Sequence, residues 1–308
     1  MRSPAHHTDF GHHMKRASTS STRTVPDVKS YRAAIADLVS EIAAHTDPVN
    51  LAKAERVVLD RVHEPEMAAV LSVTPKGREG AVNELLSALR RNRGGTGVTG
   101  DLAAVVRIFL SSQIDAMWWG WTSPYQTDAD LLGSPDLVDL DGLRRRRPLG
   151  FRYRRQPSGM TGRLVRAAER RLWPSRTPHT AGVRFCHTRP EAVVLLNQVS
   201  ADLARVAPAG TPQPWVTSMA RSVAHQQRLR ALGYPAVLPS AHCVGYAVDV
   251  EMAWFRRFKA DRALACLLLE RQDCGDANII DEGQVWHMCV NPAAAPRLRN
   301  EFEADLGA

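Results

Sequence analysis

His242 and Asp249 lie seven residues apart in PSAHCVGYAVDVEMAW, and His287 follows beyond a helical stretch of the type DRALACLLLERQ. Two histidines and one carboxylate can hold a catalytic zinc ion and leave a fourth position open for water. The metal would bring that water's pKa to roughly 7, making hydroxide available at neutral pH. Spacing alone is weak support. A lone His-x6-Asp pair arises easily by chance, and a histidine beside a tryptophan more often packs in a core.

The residues around these three sharpen the pattern. PWVTSMA reads as a strand ending near Ser218, with Arg221 just beyond it, and RSVAHQQRLRALG reads as a helix containing Gln226. Then come Ser240, His242, Gly245, Ala247 and Asp249 in the order Ser-x-His-x-x-Gly-x-Ala-x-Asp, and Trp286-His287 on a later strand. Over roughly residues 181–295 this series resembles the D-alanyl-D-alanine carboxypeptidase family. Relatives of that family include D-Ala-D-Ala dipeptidases, phage L-alanyl-D-glutamate endolysins and the hedgehog signalling domain.

The resemblance implies His242, Asp249 and His287 as zinc ligands, and a peptidoglycan peptide as substrate. Arg221 would hold a substrate carbonyl or carboxylate, with Ser240 and Trp286 also contacting substrate. Gly245 and Ala247 would be small because loop and strand pass close to the metal. Gln226 more plausibly packs or hydrogen-bonds within the fold. One position departs from the family. Many members carry glutamate three residues before the second histidine, and residue 284 is Gln. An amide cannot take a proton from water. Glu282, two residues earlier and on the same face of an extended strand, is the substitute base, with Asp281 as the second candidate.

The elements that must position these groups fall into four stretches. Residues 1–28 read as a disordered polar tail with too few apolar side chains to offset the entropy of ordering. Its His6, His7, His12 and His13 are taken as incidental. Residues 29–121 read as a helical region, with Ile35, Leu38, Val39 and Ile42 forming one buried stripe and Asp101 opening an apolar helix. Residues 122–180 form an arginine-rich connector, and residues 181–308 the zinc carboxypeptidase-like domain. The expected fold class is α+β, with the C-terminal domain built on a mainly antiparallel sheet.

The connector carries Arg144 to Arg147 in an unbroken run, then Arg152, Arg154, Arg155, Arg163, Arg166, Arg170, Arg171 and Arg176. Phe151, Tyr153 and Trp173 are interleaved, an arrangement that suits stacking on bases or sugars. With a net charge of +8, the segment Arg144–Arg176 is a candidate contact for anionic polymers. No nucleic-acid-reading motif accompanies it. The five cysteines show no CxxC spacing, which points to a reducing compartment. Neither a signal-peptide core nor a membrane-spanning run is visible, so the chain reads as cytoplasmic as written, or extracytoplasmic if released by another route. Two rivals stand beside a zinc peptidase. One is a non-hydrolytic zinc-binding recognition module of the same fold. The other is a nucleic-acid-associated protein acting through the arginines.

Overall fold

The computed structural model describes residues 26–44, 51–92, 101–157, 159, 171, 177–178, 180–232 and 236–307. The tail histidines, Arg163, Arg166, Arg170, Trp173 and Arg176 lie outside them. The chain folds as a mixed α+β structure.

Five helices come first: α1 (Val28–Ala44), α2 (Leu51–Arg61), α3 (Pro65–Val73), α4 (Gly77–Asn92) and α5 (Leu102–Trp119). Asp101 caps α5 by accepting from the Ala103 and Ala104 amides, which satisfies two of the orphan N–H groups at a helix start. Tyr31, Leu38, Leu71, Leu85, Leu89 and Leu110 meet in the core of this layer. The Tyr31 hydroxyl donates to the Leu110 carbonyl at 2.9 Å, so this buried polar atom has a partner.

Two short helices follow, α6 (Asp128–Leu132) and α7 (Leu140–Arg146), with the two-residue strands β1 (Val138–Asp139) and β2 (Arg152–Tyr153). The described part of the connector therefore forms regular elements. Arg144, Arg145 and Arg146 form the last turn of α7, where positive charge suits the helix dipole. Phe151 and Tyr153 are buried in the second core, which removes them as stacking platforms for bases or sugars.

Beyond β3 (His187–Thr188), α8 (Pro190–Val206) leads into β4 (Trp215–Ser218), α9 (Val223–Ala231) and β5 (Ala247–Glu251). Then come α10 (Asp261–Asp273), β6 (Ala277–Asp281), β7 (Val285–Val290) and α11 (Ala295–Gly307). The main sheet runs in the order β2-β4-β5-β7-β6. It is mixed: β2 pairs parallel with β4, and the other three pairings are antiparallel. The expectation of a mainly antiparallel sheet is corrected to that extent. The parallel edge is feasible because a long excursion through β3 and α8 separates β2 from β4.

Alternation divides the sheet into two faces. Val248, Val250, Met288 and Val290 point into the core shared with α8, α10 and α11. Ala247, Asp249 and Glu251 of β5 and His287 and Cys289 of β7 point the other way. There Ala247 and Cys289 meet Trp118 and Trp119 at the end of α5. The apolar face holds the sheet on its helices, and the opposite face is left for chemistry. Among the described residues no helix is long and apolar enough to cross a membrane.

Candidate metal centre

Register brings the three candidate ligands together. Asp249 on β5 lies directly opposite His287 on β7. His242 arrives on a single 3-10 turn, Ala241–Val244, which Gly245 ends with φ +83°. Only glycine enters that left-handed region without cost. A Cβ at Gly245 would also lie 2.6 Å from a Leu137 methyl. The glycine thus serves the turn and its packing against Leu137, rather than close approach to the metal position.

The donor atoms converge. His242 Nε2 and His287 Nδ1 each lie 3.1 Å from the same oxygen, Oδ1 of Asp249. All three side chains are buried, and one ligand atom from each lies within 4.8 Å of the others. Tetrahedral ligands at the usual zinc distances sit about 3.3 Å from one another. The spacing therefore fits an ion between them.

The outer partners decide which atoms face inward. His242 Nδ1 lies 2.9 Å from the Met219 carbonyl, which can only accept, so that nitrogen carries the proton. His287 Nε2 lies 2.8 Å from Asp115 Oδ2 and likewise donates. In their neutral forms both rings then present lone pairs to the Asp249 carboxylate. Three acceptors facing one another need a cation or an extra proton. The titration of the groups carries the same message. Burial disfavours a charged His287, but its bonds to Asp115 and Asp249 outweigh this and hold it well above the ordinary histidine value. His242 is held low, chiefly by burial. Burial pushes Asp249 up, yet His242, His287 and Arg221 together hold it well below the carboxylate range. Without a metal the extra proton sits on His287; with one, the outer acceptors leave His242 Nε2 and His287 Nδ1 as the atoms that would face it.

Arg221 lies in the site but is occupied. Its Nη2 donates to Asp249 Oδ2 at 2.8 Å, Nε to Ser218 Oγ at 2.8 Å and Nη1 to Gln226 Oε1 at 3.2 Å. Its first role is to hold Asp249 by the oxygen the histidines do not use. Gln226 is itself fixed by donating to the Val237 carbonyl at 3.1 Å.

The ligands open onto a cleft of about 880 Å³, whose lining includes Ser240, Glu282 and Gln284. Glu282 stands on the tight turn between β6 and β7, where Gly283 takes φ +87°. Burial, then the Asp249 charge, push its carboxyl up to about 7. Asp281 turns away, pairing with Arg107 at 3.2 Å and accepting from the Gly283 amide at 2.7 Å. Trp286 is not in the cleft lining. Strand alternation sends it to the opposite face from His287, where it packs against the main core. Its expected contact with substrate is therefore corrected.

Asp115 is not singled out by any motif. Its one signal in the sequence is an acid inside the otherwise apolar run IFLSSQIDAMWW, and such an acid must find a partner once buried. Arg184, Arg228 and Arg257, also unmarked by the sequence pattern, line the cleft with Phe185 and Trp254. No family model, no curated protein and no solved structure matches the chain.

Proposed function

We propose that the chain is a zinc-dependent peptidase that hydrolyses D-amino-acid-containing peptides of peptidoglycan. The observation that carries the reading is the convergence of His242 Nε2 and His287 Nδ1 on one Asp249 oxygen, with the Glu282 carboxyl in the same cleft. Two histidines and a carboxylate form a ligand set of catalytic zinc sites. When bound, zinc supplies a Lewis acid and lowers the pKa of its water to about 7.

The chain's own residues have separate tasks. Arg221 holds Asp249 in place through Oδ2. The Glu282 carboxylate takes the proton from the attacking water and returns it to the departing amine. Arg228 lines the cleft as a cation suited to a peptide carboxylate, and Arg184, also in the lining, is paired with Asp128 at 2.8 Å. The likeness of Ser240, His242, Gly245, Ala247 and Asp249 to the D-alanyl-D-alanine carboxypeptidase pattern supports the substrate class. Such a substrate lies outside the membrane, so the protein would act after release, in the manner of phage lysins.

One observation favours a second reading, a non-hydrolytic zinc-binding recognition module. Gln284 lines the cleft where the family's usual base stands, and an amide accepts no proton. Digestion of muropeptides with and without a chelator separates the two. Chelator-sensitive release of D-amino acids supports the peptidase. An inactive wild type beside an active Gln284→Glu variant would establish recognition without hydrolysis. A role on nucleic acid through the arginines is the less supported reading, because Phe151 and Tyr153 are buried.

A further inference from the structure

The bond from Asp115 to His287 is the end of a longer chain of contacts that starts in the helical layer. Asp115 of α5 uses Oδ2 for His287 and Oδ1 to accept from Asn278 Nδ2 at 2.9 Å. The same Asn278 amide donates to the Ser111 carbonyl at 3.1 Å, and Asn278 Oδ1 accepts from Arg32 Nη2 of α1 at 2.9 Å. Asn278, on β6, is fully buried and Asp115 nearly so. Two acceptors on one side of the amide and a cation on the other fix its orientation. Three elements far apart in sequence thus end on one metal-ligand candidate, each polar group satisfied. A buried polar network seldom stabilises a fold more than apolar packing of the same volume would. The network is better explained by what it holds in place.

We infer that Arg32, Asn278 and Asp115 are positioning residues that make the N-terminal helical layer part of the metal centre. Asp115 fixes the ring of His287 so that its Nδ1 lone pair faces Asp249, and raises its basicity as a ligand. Asn278 and Arg32 hold Asp115 in turn. The helical layer is then required for metal affinity as well as for stability. The inference rests on reading His242, Asp249 and His287 as metal ligands.

Zinc titration of the full chain against a chromophoric chelator tests it, with thermal unfolding of the metal-free forms alongside. Asp115→Asn should weaken zinc binding about 10–100-fold, the usual cost of losing an outer-shell partner. Arg32→Gln should weaken it less, within about tenfold. The decisive variant is the exchange Asp115→Asn with Asn278→Asp. There the new amide at 115 can donate to the new carboxylate at 278, which still faces Arg32. The bond between 115 and 278 and the contact with Arg32 are kept, the donation to the Ser111 carbonyl is lost, and the carboxylate no longer touches His287. Weak zinc binding in a variant that unfolds like wild type supports the inference, and the exchange carries the test if Asp115→Asn alone fails to fold. Wild-type affinity in the folded exchange variant, or in Asp115→Asn, overturns the positioning role and leaves the metal site standing. A wild type that takes up no zinc overturns both.

Discussion

In the candidate metal centre Asp249 is held on both oxygens, and His242 and His287 on both nitrogens. In the arginine-rich segment, Arg144, Arg145 and Arg146 stand exposed on the last turn of α7. The contacts there are of the surface kind: Arg144 reaches Asp141 at 3.8 Å and Arg147 reaches Asp305 at 3.0 Å. Such pairs contribute roughly 0–1 kcal/mol and weaken with salt. Among the described residues, the run that dominates the charge of the sequence is therefore held by surface pairs rather than by converging buried partners. A few buried groups, inconspicuous by count, carry the arrangement that can do chemistry. Density of charge marks a surface, and convergence of partners marks a site.

The sharpest way to break this contrast is to change one atom in the centre. Glu282→Gln is nearly isosteric but cannot accept a proton. Hydrolysis of muropeptides should fall about 10²–10⁴-fold while zinc content is unchanged. Unchanged turnover would remove Glu282 from the chemistry, and Asp281 would be the next residue to test despite its pairing with Arg107.

The same variant gives a second, smaller effect on stability. Burial and the Asp249 charge raise the Glu282 carboxyl from an ordinary value of 4.5 to about 7. A folded-state value above the unfolded one means that the folded protein holds this proton more tightly. The resulting stabilisation is complete at pH values below about 4.5 and is lost as pH rises towards 7. In chelator-treated protein, Glu282→Gln should match wild type near pH 4 and be more stable near pH 8. With solvent screening the gain is on the order of 1 kcal/mol. Thermal unfolding across that range reads it, and parallel profiles would mean that Glu282 feels neither burial nor Asp249.

The smallest effect belongs to the arginine run. Replacing Arg144, Arg145, Arg146 and Arg147 with serine should leave zinc content untouched and change stability by about 1 kcal/mol or less. If the run contacts anionic polymers, heparin or DNA binding should lose part of its salt dependence. An unchanged salt slope would leave the run as a solvated helix end.

Much of the site was legible because its pattern is local. Ser240, His242, Gly245, Ala247 and Asp249 lie within ten residues, and the period-two rule places Asp249 and His287 on one face once β5 and β7 pair. What was not legible depends on contacts distant in sequence. Asp115 reaches His287 across 172 positions, and Arg32 reaches Asn278 across 246. Trp286 misled because adjacency in sequence to a candidate ligand is opposition in a strand. Phe151 and Tyr153 misled because interleaving with arginine looks the same whether an aromatic ring turns outward or into a core. The parallel pairing of β2 with β4 depends on a crossover that no local signal marks.

The central claim is that His242, Asp249 and His287 hold one metal ion. Elemental analysis of the purified chain, with zinc competition on wild type, His242→Ala and His287→Ala, tests it most directly. Wild type should hold about one ion per chain, and because losing a ligand atom costs more than losing the group that orients it, affinity should fall beyond about 100-fold in either variant. A wild type that takes up no metal, or variants that keep full occupancy, would contradict it.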